Sequence, residues 1–130
     1  FTTDVTIDPA NHGAVYVAAF YPASAAPTCI GGGVWKTTDH GSTWTKIIDK
    51  PAYSVAVDPA NSGRLYVSCW YRGGDGFYTS GDAGANWVRL ESYPFWRALT
   101  VTFDPADSSL IYVTNFGGGV YRGQHAGTWP

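Results

Sequence analysis

The chain has 130 residues, 45% of them apolar, which is enough for about one domain with a real core and excludes a disordered segment. A net charge of −2 with no cluster of basic residues excludes a charge-driven nucleic-acid surface, and no apolar run approaches the roughly 18 to 20 residues that span a bilayer. Sixteen glycines and an aromatic set of six Trp, nine Tyr and six Phe point to turn-rich β-structure with large core side chains.

In chain order, VTIDPANHGAVYVAAF (Val5 to Phe20) predicts an alternating strand, an Asp-Pro turn and a second strand centred on Tyr16 and Val17. After the loop YPASAAPTCIGG, Gly33 opens a short third strand, GVWKTT, and TKIID from Thr45 supplies a fourth. The series restarts as VAVDPANSGRLYVSCW (Val55 to Trp70), GFYTS from Gly76 and VRLE from Val88. It restarts again as VTFDPADSSLIYVTNF (Val101 to Phe116) and GVYRG from Gly119. The tail GQHAGTWP then carries no strand pattern. In each copy the proline ends the first strand, because it has no ladder donor and presets a turn.

Four short antiparallel strands in units of about 40 to 50 residues, with no helical period, mark the blades of a β-propeller. The expected fold is therefore all-β, a single partial propeller domain over 1–130. Blade 1 covers about 4–50, blade 2 about 51–93 and blade 3 about 97–123, the last without its outer strand and followed by a tail, 124–130. A propeller closes with typically four to eight blades. Three leave two open flanks, to be covered by the remaining blades of a longer propeller or by self-association. The chain contains no methionine, which also leads us to expect a processed form or a piece of something longer.

Between the third and fourth strands stand TTDHGSTW (Thr37 to Trp44) and SGDAGANW (Ser80 to Trp87). Both read hydroxyl-x-Asp-x-Gly-x-x-Trp. At a hairpin turn an Asp can accept turn N–H groups and a Gly can take a positive φ, while the Trp is aimed back between sheets as an apolar plug. Thr37, Asp39, Gly41 and Trp44, like Ser80, Asp82, Gly84 and Trp87, are thus read as structural. The octets resemble the Asp-box, or BNR repeat, of sialidases and related propellers. That resemblance is specific for fold and says little about function.

Setting aside the acids of the Asp-Pro pairs, of the octets and of the turn at Asp107 leaves Asp4, Asp49, Asp75 and Glu91 as weak catalytic candidates, all expected on the face opposite the octets. Aromatics crowd the same loops: Phe20, Tyr21, Tyr53, Trp70, Tyr71, Tyr93, Phe95 and Trp96. Such faces can plug gaps between blades or stack on sugar rings. Trp70, Tyr71, Arg72, Tyr93, Trp96 and Arg97 are the candidate ligand-binding residues. His12, His40 and His125 are scattered, so no metal site is expected. There is no GxSxG elbow and no phosphate loop, and no cofactor is expected.

The phrases DPANSGRLYVSCW, GGGVWKTTDHGSTWTKI and GGGVYRG are similar to the family 74 glycoside hydrolases. That resemblance implies an exported propeller acting on xyloglucan or a related β-glucan, secreted or periplasmic, with a polysaccharide or oligosaccharide as partner and neither nucleic acid nor membrane. It also implies an inverting pair of carboxylates across a groove between two propellers, of which this chain holds at most one. A non-catalytic sugar-binding propeller and a protein-binding propeller scaffold stay open beside it. Cys29 and Cys69 are either two separate thiols or one bridge pinning blade 1 to blade 2.

Overall fold

The computed structural model describes residues 1–20, 32–70, 76–91 and 97–124. Within them lie the strands β1 (Thr2–Asp8), β2 (Asn11–Ala19), β3 (Gly33–Thr37), β4 (Thr45–Ile48), β5 (Ala52–Asp58), β6 (Asn61–Cys69), β7 (Gly76–Ser80), β8 (Val88–Arg89), β9 (Ala98–Phe103), β10 (Leu110–Asn115) and β11 (Gly119–Gln124). They form two four-stranded sheets, β1-β2-β3-β4 and β5-β6-β7-β8, and one three-stranded sheet, β9-β10-β11. Every pairing is between chain neighbours and antiparallel. The all-β partial propeller read from the sequence is the observed fold. Strand β11 runs one residue past the expected GVYRG, because Leu110 still pairs with Gln124. Strand β8 is shorter than VRLE suggests: it pairs with β7 at Arg89 and Val88, and beyond it the Leu90 N–H donates to the Phe77 carbonyl at 2.8 Å.

The Asp-Pro turns are built alike in all three blades. The carboxylates of Asp8, Asp58 and Asp104 accept the N–H groups of Ala10, Ala60 and Ala106 at 2.9, 2.8 and 2.8 Å. Three residues on, Asn11, Asn61 and Asp107 accept the N–H groups of Gly13, Gly63 and Ser109. These are the side-chain-capped turns for which Asp and Asn are suited.

Strand β5 is buried over nearly its whole length because a sheet lies on each side of it. Val55 and Val57 join Ala14, Tyr16, Ala18, Val34 and Ile48 of blade 1. Ala56, on the opposite face, joins Tyr66, Phe77, Val101, Phe103, Ile111 and Val113 at the joint with blade 3. Burying a side chain of this size contributes roughly 1.5–3 kcal/mol, so the two joints carry most of the core.

Polar contacts stitch the same joints. The Asp4 carboxylate accepts the Ser54 hydroxyl at 2.6 Å and the Val55 N–H at 3.2 Å. One blade on, the Ser54 oxygen accepts the Val101 N–H at 3.2 Å. Ser68 donates to the Leu99 carbonyl at 2.9 Å. On the outer side the Trp87 indole N–H reaches the Ile47 carbonyl of blade 1 at 2.9 Å, and the Lys36 ammonium reaches the Ala83 carbonyl of blade 2 at 3.0 Å.

Gly41 and Gly84 both take a left-handed backbone, φ 91° and 93°, yet their surroundings differ. A Cβ on Gly41 would meet only the Trp44 ring, at 3.7 Å, whereas one on Gly84 would lie 2.7 Å from Ile47 Cδ1 across the joint. Both Gly→Ala variants should lose about 1 kcal/mol to backbone strain. Gly84→Ala should lose about 1–3 kcal/mol more by overpacking the joint. Urea unfolding midpoints of the two variants would check this, and equal losses would contradict it.

Candidate functional site

The octets sit at the rim that also carries the Asp-Pro turns, as the registers Val15↔Thr37 and Leu65↔Ser80 require. In each octet the buried hydroxyl is the hub. Thr37 donates to Asp39 at 2.6 Å and accepts the Gly41 N–H at 3.0 Å; Ser80 donates to Asp82 at 2.8 Å and accepts the Gly84 N–H at 2.9 Å. Asp39 also accepts the Thr43 N–H and hydroxyl, and Asp82 the Asn86 N–H and side-chain amide. Asn86 thus performs the same task in the second octet as Thr43 in the first. The residue before each glycine, His40 or Ala83, is left-handed as well, φ 57° in both, which the sequence reading did not anticipate.

These bonds hold the ionised form. The Thr37 hydroxyl, then the Thr43 hydroxyl and N–H, lower the Asp39 carboxyl to about 2. The Asn86 amide, the Asn86 N–H and then Ser80 bring Asp82 to about 2 as well. A carboxyl of that kind is a poor general acid or base at neutral pH. A hollow of about 350 Å³ between the octets is lined by Lys36, Thr37, Thr43 and Asp82 among others. Its charged groups are already committed to the turns and the joint.

The opposite rim holds the other candidates. Asp4 lies next to the rim end of β1, paired with Ala18, but its carboxylate serves the joint with blade 2. Asp49 follows β4 at the same rim, well exposed, with Lys46 at 2.8 Å. Glu91 follows β8, also exposed, with Arg89 at 3.5 Å. Exposed pairs of this kind contribute at most about 1 kcal/mol. Each of the three acids thus answers to a different neighbour. Asp75, Tyr71, Arg72, Tyr93 and Trp96 lie outside the described residues, as do Cys29 and the bridge that would need it. Cys69 is buried among Leu65, Val67 and Tyr78 at the joint between blades 1 and 2.

What this rim does assemble is a stripe of rings across all three blades. Phe20, Trp70 and Phe116 occupy one repeat position just past the second strand. Each is pinned by its N–H to the carbonyl of the residue leading into the inner strand: Phe1, Pro51 and Arg97, at 2.8, 3.2 and 3.2 Å. Every inner strand then carries one extra residue opposite its partner, at Thr3, Tyr53 and Leu99. Such a bulge re-aims a side chain at a sheet end, and it places Tyr53 between Phe20 and Trp70, with ring centroids 4.5 and 5.3 Å away. Trp70 continues to Phe116 at 5.6 Å. The Arg97 guanidinium lies 5.0 Å from the Trp70 ring and 5.9 Å from the Phe116 ring. Burial raises the Tyr53 phenol above its ordinary pKa, so it stays a neutral donor.

Of the sequence candidates, the structure brings Trp70 and Arg97 together. Phe116 was missed as a site residue, although its place in the repeat, matching Phe20 and Trp70, was the available signal. Arg97 has a φ of 62°, a conformation that costs a non-glycine residue about 1–3 kcal/mol and persists where the surroundings impose it. Half-buried aromatic faces beside a guanidinium suit a ligand with apolar C–H faces and hydroxyl edges. Among the described residues, no group of three or more His, Cys, Asp or Glu is placed to hold a metal ion.

Three consecutive blades, with their inner strands side by side, define the class: a β-propeller. Among known proteins the chain is similar to the family 74 glycoside hydrolases. It is 30% identical over 95 residues, 68% of its length, to a xyloglucanase from Paenibacillus sp.. The GH74 xyloglucanase from Xanthomonas campestris superposes on 99% of the chain with a TM-score of 0.74 and 22% identity. YCF48 from Cyanidioschyzon merolae also matches over 99%, with a TM-score of 0.65 and 17% identity, so the fold alone does not name an activity. The chain spans 9% of the Paenibacillus enzyme, 23% of the Xanthomonas one and 36% of the YCF48 chain. No protein-family profile matches it.

The octet carboxyls give a pH test. Their folded-state values lie below the ordinary 3.8, so their stabilising effect is complete above about pH 4 and is lost as pH falls towards about 2. Asp39→Asn/Asp82→Asn should therefore melt below the wild type at pH 6, with the gap closing by about pH 2. Thermal melts across that range would show it; a gap independent of pH would contradict the assignment.

Proposed function

We propose that this chain is a section of an exported, family-74-type glycoside hydrolase acting on a plant-type β-glucan of the xyloglucan kind, and that it supplies part of the sugar-binding rim. The observation that carries this reading is the stripe Phe20–Tyr53–Trp70–Phe116 with Arg97 over its last two rings, running unbroken across three blades. A linear polysaccharide offers what such a stripe needs, a succession of pyranose C–H faces with hydroxyls at their edges. Tyr71, Arg72, Tyr93 and Trp96 are further candidates for sugar binding on the sequence alone. The similarity to a Paenibacillus xyloglucanase supports the same substrate class.

Catalysis by inversion needs two carboxyl groups about 6.5–9.5 Å apart with a water between them. In this reading the chain contributes at most one of that pair. Asp49, Asp75 and Glu91 are the candidates. Asp4 is a weaker one, because ligation by Ser54 and Val55 commits it to the joint. The isolated chain accordingly binds sugar without cleaving it, as a lectin-like module would; hydrolysis belongs to the full propeller.

Tryptophan fluorescence of the chain, titrated with a xyloglucan oligosaccharide, tests the reading. Trp70→Ala and Arg97→Ala should each weaken binding by about tenfold, near 1.4 kcal/mol, with unchanged folding by circular dichroism. An unaffected Trp70→Ala variant would remove the aromatic platform, and equal affinity for an α-glucan would remove the β-glucan class.

A further inference from the structure

We propose, on the sugar-binding reading of this rim, that Arg97 is a carboxylate-binding fork and that the saccharide on the stripe carries a uronic acid at the joint of blades 2 and 3. The ligand is thereby narrowed from a β-glucan in general to one with an acidic sugar at a defined place. Arg97 is exposed, and its guanidinium lies over the Trp70 and Phe116 rings, 5.0 and 5.9 Å from their centroids. A guanidinium has five N–H donors in a planar fork that matches a carboxylate with two parallel bonds. Neither ring accepts those donors as an oxygen would. The described acids of this rim are engaged elsewhere: Asp49 by Lys46 at 2.8 Å, Glu91 by Arg89 at 3.5 Å, and Asp4 by Ser54 and Val55. Among the described residues, no carboxylate pairs with Arg97.

The fold itself does not ask for arginine at this position. What the blade needs there is a carbonyl to receive the Phe116 N–H, and in blade 2 Pro51 supplies the same carbonyl to Trp70. The backbone φ of 62° at Arg97 is one that glycine enters freely and other residues only under strain. A long cationic side chain is thus kept where the local backbone favours none, and that points to a partner for its charge. The other described cations lack this combination. Arg64 serves the buried Asp58, Lys36 serves the Ala83 carbonyl, and Lys50 lies over the single ring of Tyr78. The two rings under Arg97 restrict its guanidinium, so the fork is set before a ligand arrives. A uronic acid carries its carboxylate directly on the pyranose ring. A sugar seated at Trp70 and Phe116 therefore brings that acid to the guanidinium, where the bonds are charge-assisted and stronger than those to a hydroxyl.

Titration calorimetry with three oligosaccharides of one length and linkage tests this: a neutral xyloglucan oligosaccharide, the same bearing one glucuronate, and the methyl ester of that glucuronate. The acid should bind about tenfold more tightly than its ester at low salt, with the gap narrowing as salt rises. Arg97→Gly should bring the two affinities together while melting close to the wild type, since relief of the backbone strain offsets the lost stacking. Arg97→Lys, which keeps the charge without the fork, should retain only about a threefold preference. Equal binding of acid and ester by the wild type, or a preference undiminished in both variants, would overturn the proposal; continued binding of the neutral oligosaccharide would then leave the sugar-binding reading standing. No binding of any of the three would overturn both. A short peptide with a free C-terminal carboxylate that binds through Arg97 more tightly than the acidic sugar would assign the fork to a protein partner, and would overturn it as well.

Discussion

Each sheet of this chain has two apolar faces, and only a neighbouring sheet can cover both. That constraint organises the rest of the structure. Covering β5 on both sides requires the inner strands to stand side by side, which brings Val55 N–H to Asp4 and Val101 N–H to Ser54. It also turns the outer hairpins towards one another, so that Trp87 lies against Ile47 and donates to its carbonyl. Trp44 has the same sequence context, with no described sheet against it. Its indole bonds only to its own Gly41 carbonyl, and the ring is exposed. One motif therefore gives two environments, and the difference is entirely tertiary.

The blades, their strand order and the octet turns were legible because they rest on local chemistry: alternation, Asp-Pro, and a hydroxyl, an acid and a glycine at fixed offsets. The bulges were not. Nothing local distinguishes Tyr53 from its neighbours in AYSVAVD, and the extra residue is defined only by pairing Ala52 with Cys69 and Ser54 with Ser68. The reading of Asp4 was limited for the same reason. Elimination left it among the surplus acids, but its partners, Ser54 and Val55, lie about fifty residues away and meet it only across a joint. Trp70 and Arg97 were legible as loop residues. Their mutual stacking, and the inclusion of Phe116, required the third blade to be placed.

The two rims divide the work. On the octet side every acid is satisfied by hydroxyl and N–H donors, and the buried Thr37 and Ser80 fix the turn from inside. An ionised group so fully ligated has no capacity left for a ligand. On the other side each ring-bearing residue is tied by its N–H to the carbonyl leading into the inner strand, and in blade 1 the Phe1 ammonium also donates to the Phe20 carbonyl at 3.0 Å. The rings pack on one another across the joints, with the Arg97 guanidinium over two of them.

Arg97 shows how joint and rim are coupled. Its carbonyl anchors Phe116, its side chain lies over Trp70 of the preceding blade, and its backbone is left-handed. In blade 2 the equivalent position is Pro51, whose ring fixes a negative φ and offers no cation. The third blade therefore departs from the repeat where the stripe crosses its second joint. The contacts of its side chain and its carbonyl both belong to the aromatic stripe. The strain and the stacking are one arrangement, which puts a guanidinium where two rings from different blades converge.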